Sequence, residues 1–379
     1  MTKKKILIVG PAWPLRGGLA TYNERLCREF NSQGHTCKIL SFSLQYPSIL
    51  FPGKTQFSSD PKPADIEILS TINSINPFSW LTVGKKMADE EYDVVIFRYW
   101  MSFMAPAFGT IARLIKRKSK ATVLAITDNI IPHEKKFFDA AFTNYFLNSC
   151  DGFLSMSRSV LDQVKELQPN KPRAYVPHPM YDMFGEKLLK SEAKVALGLD
   201  VNTNYLLFFG FIRKYKGLQL LLESFADDRL QSLPLKLIVA GEFYEDRKPY
   251  DELISRLGLE SRLVLATDFI PNNEVSKYFS ASDMVVQTYL NATQSGVTQI
   301  AYYYDKPMLV TDVGGLAELV PHNKVGYIST IDKMQIANDI LDFYSNQKEK
   351  EFTDNIKIEK QKFTWHYLTQ QLFSLVTNA

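Results

Sequence analysis

The chain has 379 residues, 45% hydrophobic and 22% charged, a globular balance that excludes a disordered or collagen-like polymer. Its net charge is only +3, from 44 basic and 41 acidic side chains, which argues against a whole-molecule polyanion binder and against nucleic acid as a partner. A chain of this length is expected to hold about two to three domains.

Three cysteines, Cys27, Cys37 and Cys150, form neither a CxxC pair nor a metal spacing, and so sparse a set points to a reducing compartment. The apolar run after the basic start ends at Gly10-Pro11, too short for a signal segment. No apolar stretch reaches the roughly 18 residues of a spanning helix. The expectation is a cytoplasmic protein, peripheral at the cytoplasmic face of the membrane at most.

Along the chain, Lys5–Val9 reads as a buried strand ending in Gly10. A helix follows over 19–33, with Leu19, Tyr22, Leu26 and Phe30 at helical spacing and Gly34 as its stop. Strands read at Cys37–Phe42, Asp93–Phe97, Thr122–Ile126 and Phe153–Met156, flanked by helix-like segments. Residues 43–76, rich in Ser, Pro and Gly, read as a long loop. After the proline-bounded Val176-Pro177-His178-Pro179, a linker is expected to about residue 200. Alternation then restarts with strands at Tyr205–Phe209, Leu235–Ala240, Leu263–Ala266, Met284–Gln287 and Met308–Thr311. Helices read between them at Gly217–Phe225 and Asn273–Ala281, and a C-terminal helix carries Trp365, Leu368, Leu372 and Leu375 on one face. This is an α/β chain of two parallel-sheet halves with a cleft expected between them. The expected domains are 1–180, a linker at 181–200, 201–350, and a helical segment at 351–379 packing back toward the first domain.

Several turns carry chemistry. Arg16-Gly17-Gly18 lies between strand one and helix one, where paired glycines let a ligand approach and a helix N-terminus meets an anion; a plain tight turn is the alternative. The stretch from Phe208 to Gly217 ends a strand at Gly210 and places Arg213, Lys214 and Lys216 at the carboxyl end of a parallel strand, where ligands bind in open α/β sheets. A solvated basic loop is the other reading. Thr293-Gln294-Ser295-Gly296-Val297-Thr298-Gln299 opens a helix as a nest of N–H donors, and Gly314-Gly315-Leu316-Ala317-Glu318 follows a later strand. Asp128 and His133 gather proton-transfer groups after a first-half strand, or else Asp128 and Asn129 only satisfy local backbone donors in a loop. Finally, Arg113–Lys120 reads as a core helix with a solvated basic end, or else as a helix resting on an anionic membrane surface.

GPAWPLRGGLATYNERL, FFGFIRKYKGLQLLLESF, and the run from SDMVVQTY through QSGVTQIAYYYDKPMLVTDVGGLAELV resemble, in order and spacing, the family 4 (group 1) glycosyltransferases of GT-B fold. The resemblance implies two Rossmann-like domains facing a central cleft. It implies transfer of a sugar from a UDP-, GDP- or similar nucleotide sugar to a saccharide or lipid-linked saccharide. Transfer would retain the anomeric configuration and need no metal or cofactor; the chain has no Asp-x-Asp. A nucleotide-sugar epimerase or hydrolase on the same scaffold, or a non-catalytic partner subunit, are the alternatives. By the same resemblance, Arg213 and Lys216 grip the donor diphosphate. Gly17, Gly18 and Gly210 allow close approach, Ser295, Gly296 and Val297 supply backbone donors, and Gln294, Thr298, Gln299, Gly315 and Glu318 complete the donor site. Asp128 stands where the family has a His, and Asp128 or His133 orients or polarises, His133 being the better candidate for a hydrogen bond to the sugar. The paired glutamates of many members are absent between Ala292 and Ile300; Gln299 can hydrogen-bond a hydroxyl, but not as an anion.

Overall fold

The computed structural model describes residues 2–47, 56–58, 61–130, 139–292 and 295–377. They form two compact units, residues 1–178 with 362–379, and residues 179–361.

The first unit is built on seven parallel strands: β1 (Lys5–Val9), β2 (Thr36–Leu44), β3 (Glu67–Asn73), β4 (Val94–Tyr99), β5 (Thr122–Thr127), β6 (Gly152–Ser155) and β7 (Arg173–Tyr175), in the order β3-β2-β1-β4-β5-β6-β7. Central strands of such a sheet are covered on both faces, so they read as unbroken apolar runs. In β1, Ile6 and Ile8 pack with α1 (Gly18–Ser32) and the helix Trp365–Thr377. Leu7 and Val9 point the other way, into the cluster that holds residues of α2 (Pro77–Ala88) and α3 (Ala105–Lys118). The second unit has six parallel strands: β8 (Asn204–Phe209), β9 (Leu235–Ala240), β10 (Leu263–Ala266), β11 (Met284–Gln287), β12 (Met308–Thr311) and β13 (Gly326–Ser329), in the order β10-β9-β8-β11-β12-β13. Its core joins Leu206 and Phe208 to Leu221, Leu222 and Phe225 of the following helix. The expected pair of parallel α/β sheets is therefore present.

Three expectations need correction. The segment 43–76 is not a loop throughout: β3 lies within it, paired to β2 through two register shifts, with Ile68 and Ile72 buried. Its Ser- and Pro-rich approach hides a strand whose apolar residues, Ile68, Leu69 and Ile72, are broken by Ser70 and Thr71. Residues 181–200 are not a plain linker. They contain the helix Lys190–Ala196, whose Lys190 Nζ donates to Asp283 Oδ1 at 2.7 Å. The tail divides: Glu349–Glu359 belongs to the second unit, while Trp365–Thr377 belongs to the first, where Phe373 packs on Phe30 and His35.

Asp283 ties the second unit's base together. It is 2% exposed, and besides Lys190 its carboxylate accepts from the Tyr205 amide at 2.7 Å and the Tyr344 hydroxyl at 3.3 Å. Removing one member of a buried charge network leaves the others uncompensated. Asp283→Ala is expected to lower the unfolding free energy by about 3 kcal/mol, measured by urea denaturation; a midpoint equal to that of the unchanged chain would contradict this.

Candidate functional site

The second sheet reverses direction at β8, which has β9 on one side and β11 on the other. Ligand crevices form outside the carboxyl ends of strands at such a switch point. A cavity of about 720 Å³ lies there, lined by Gly210 after β8, Gly241 and Glu242 after β9, Tyr289 and Asn291 after β11, and Lys216.

The loop after β8 is shaped by its glycines. Gly217 has φ +69° and caps the helix Leu218–Phe225; a Cβ there would lie 1.9 Å from the Thr288 carbonyl oxygen, so no other residue fits. The Thr288 hydroxyl donates to the Gly217 carbonyl at 2.9 Å, pinning the end of the loop to β11's continuation. The turn Lys214–Lys216 is thereby folded back, and Lys216 Nζ lies 3.0 Å from where a Gly210 Cβ would stand. Burial and then the nearby Arg213 charge lower the Lys216 ammonium to about 8. It sits 5.6 Å from the Tyr289 ring centroid, and among the described residues no carboxylate lies within ion-pair distance. A half-buried cation without a counter-ion is costly until an anion joins it.

Arg213 is exposed, its guanidinium 5.1 Å from the Tyr244 ring, which stacks on Phe211 at 4.2 Å. It reaches the cavity region through its effect on Lys216 but is not among the lining residues. Ser295, Gly296 and Val297 line the cavity. Ser295 caps the helix Gly296–Tyr303, its hydroxyl accepting from the Val297 amide at 3.2 Å, so that amide is already engaged. Thr298 faces inward and bonds Gln287. Gln299 is 2% exposed, and neither atom of its amide has a partner among the described residues; it is not in the lining, whereas Ala292 and Ile300 are. Gly315 caps the short helix Leu316–Leu319, and Glu318 is exposed; neither lines the cavity.

In the first unit, Gly17 has φ +112° and caps α1, and Gly18 is its first residue; both stand in open space. Asp128 is clamped by Arg98 of β4 through two hydrogen bonds of 2.6 Å. Burial pushes its carboxyl up, and the Arg98 charge opposes that. His133 and Gln294 lie outside the described residues. Sequence reasoning passed over Arg98, although a lone Arg in the otherwise apolar, tyrosine-ended strand VVIFRY was the available signal. It also passed over the aromatic wall of Tyr181, Phe184, Phe209, Phe211, Phe269 and Tyr289.

The family profile described as Glycosyl transferases group 1 matches residues 190–361. Among curated proteins, the chain is 23% identical over 258 residues to a D-inositol 3-phosphate glycosyltransferase of Corynebacterium urealyticum, covering 62% of this chain and 59% of that one. It is 21% identical over 367 residues to the N-acetyl-alpha-D-glucosaminyl L-malate synthase of Bacillus anthracis, covering 91% and 89%. The chain spans 59%, 50% and 60% of the lengths of three of the curated relatives it matches. Among solved structures, a glycosyltransferase of Rickettsia africae superposes with a TM-score of 0.70 at 16% identity, covering 100% of this chain and 99% of that one. Anabaena HepE in complex with UDP gives 0.68 at 17% identity, covering 99% and 100%. These likenesses establish the GT-B fold.

The state of Lys216 yields a pH prediction. Its ammonium is fully charged well below about 8 and loses its proton above it, while a bound anion favours the charged form. Affinity for inorganic pyrophosphate is therefore expected to hold at lower pH and to fall about tenfold per pH unit above that value. Calorimetry near pH 8 in two buffers of different ionisation enthalpy should show net proton uptake, lost in Lys216→Met. Binding without proton uptake would show that Lys216 does not meet the anion.

Proposed function

We propose, from the match of residues 190–361 to the group 1 glycosyl transferases, that the chain moves a sugar from a nucleotide-diphosphate sugar to a saccharide or lipid-linked saccharide. The observation that carries this reading is Lys216: a cavity-lining ammonium at a sheet's switch point that makes no ion pair among the described residues. A diphosphate supplies the missing charge.

Cleaving a sugar–diphosphate bond builds negative charge on the departing diphosphate and positive charge on the sugar ring. A cation already fixed beside the leaving group stabilises that separation without reorganising in the transition state. Lys216 takes this role, with Arg213 adding a second cation at the cavity's edge. The aromatic lining keeps water from the reacting centre and so limits hydrolysis. In our reading the leaving phosphate itself receives the acceptor's proton, transfer proceeds with retention, and no metal is required. Asp128 of the first unit contacts the acceptor.

For a lipid-linked acceptor, the surface that suits a membrane is on α2, not α3. Phe108, Ile111 and Ile115 of α3 are buried in the core, so its apolar side is not available. Ile75, Phe78 and Leu81 are exposed, Phe78 by 79%, and Lys85 and Lys86 follow at the helix end. Sedimentation with vesicles containing an anionic phospholipid is expected at low salt and to weaken in Phe78→Ser. No sedimentation of the unchanged chain at low salt would remove this contact.

The donor is tested by thermal shift against UDP-, GDP- and ADP-sugars. A ligand at a hundredfold excess over its dissociation constant adds about 2.7 kcal/mol of apparent stability. Lys216→Ala is expected to weaken donor binding at least tenfold, about 1.4 kcal/mol, and Arg213→Ala less. If neither variant alters binding of any donor, the proposed site is wrong. Transfer is then assayed with D-inositol 3-phosphate, L-malate and lipopolysaccharide, the compounds in the relatives' names. Conversion of donor without any acceptor would instead favour an epimerase or hydrolase.

A further inference from the structure

Asp128 does not stand alone at the end of β5. Its two carboxylate oxygens take Nε and Nη2 of Arg98, each at 2.6 Å, in a fork-to-fork pair. Arg98 is 3% exposed, a charge held inside the sheet rather than on the surface. Its guanidinium lies 3.9 Å from the centroid of the Tyr22 ring. A planar guanidinium stacked on an aromatic face is fixed in tilt as well as position. Tyr22 is itself 4% exposed and wedged between two further rings, His178 at 5.2 Å and Trp365 at 4.8 Å. His178 is the last residue before the chain leaves the first unit, and Trp365 comes three residues after Lys362, where it returns.

We propose that Arg98 and Tyr22 are positioning residues that make Asp128 a fixed anion: a permanently ionised, rigidly aimed hydrogen-bond acceptor for a hydroxyl of the acceptor substrate, and not a carrier of protons. The inference rests on the transferase reading for its substrate and on geometry alone for the state of the carboxylate. Each carboxylate oxygen keeps a second lone pair after the fork is made, so Asp128 can still accept a hydroxyl hydrogen bond. Proton transfer in the other direction is opposed, because a protonated Asp128 would leave the buried Arg98 charge unpaired. Among the described residues the charged group facing Asp128 is Arg98 from β4. Tyr22 of α1 lies against that guanidinium, with His178 and Trp365 against Tyr22's ring.

The test follows the Asp128 carboxyl carbon by NMR in the full chain labelled at aspartate Cγ, over about pH 5 to 8. In the unchanged protein the signal is expected to stay that of a carboxylate throughout. Arg98→Gln removes the charge and leaves burial unopposed, so the titration should move up by at least about one pH unit. Tyr22→Leu should move it upward less, and Tyr22→Phe, which keeps the ring face and loses only the hydroxyl's contact with Arg98, less again. Arg98→Lys serves if Arg98→Gln does not fold: it keeps the charge but not the fork, and should allow a measurable upward shift. A carboxyl that titrates in this range in the unchanged protein, or one indifferent to both Arg98 variants, overturns the proposal. So does a Tyr22→Phe shift as large as that of Tyr22→Leu. A purely structural pair would change melting temperature without this graded pattern. With an active acceptor, Arg98→Lys should raise the acceptor KM more than the donor KM. Absence of transfer by the unchanged chain would refute the transferase reading while the titration still decides the state of Asp128.

Discussion

A cation without an ion-pair partner among the described residues marks the second unit's cavity. Lys216 is held half-buried over Gly210 by a loop that can close only because Gly217 adopts a left-handed conformation against the Thr288 carbonyl. The carboxyl ends of β8, β9 and β11 converge there, and the cavity they leave is mostly aromatic and apolar. In such surroundings a lysine without a counter-ion is a standing demand for an anion. The first unit handles charge in the opposite way, since its buried Arg98 is already met by Asp128. The contrast is one of pairing: an open cation in the second unit, a closed pair in the first.

Much of the fold was legible because parallel sheets write themselves plainly. β1, β9, β10, β11 and β12 coincide with apolar runs bounded by Gly, Pro or polar turns. The strands that escaped notice are those with little apolar content of their own. β3 offers Ile68, Leu69 and Ile72 around Ser70 and Thr71, and the four residues of β13 begin with Gly326. Their pairing depends on neighbours distant in sequence, which local periodicity does not record.

The site was legible in its backbone and less so in its side chains. Glycine-rich turns at strand ends mark where chains approach closely, and Gly210, Ser295 and Gly296 line the cavity. What spacing does not reveal is which way a side chain on a helix faces. Gln299 and Ile300 are adjacent in sequence, yet only Ile300 meets the cavity. Likewise Arg213 and Lys216 belong to one basic loop, but only the second is drawn inward, by the turn that Gly217 permits.

The first unit is discontinuous along the chain, because the helix Trp365–Thr377 closes one face of a sheet whose strands end at Tyr175. During synthesis, therefore, the amino-terminal sheet emerges well before the helix Trp365–Thr377, which completes the cover over Ile126 and Leu154. The inserted unit, residues 179–361, is contiguous and can finish first. Loss of Trp365–Thr377 would therefore strip cover from a sheet built of residues nearly two hundred positions or more upstream.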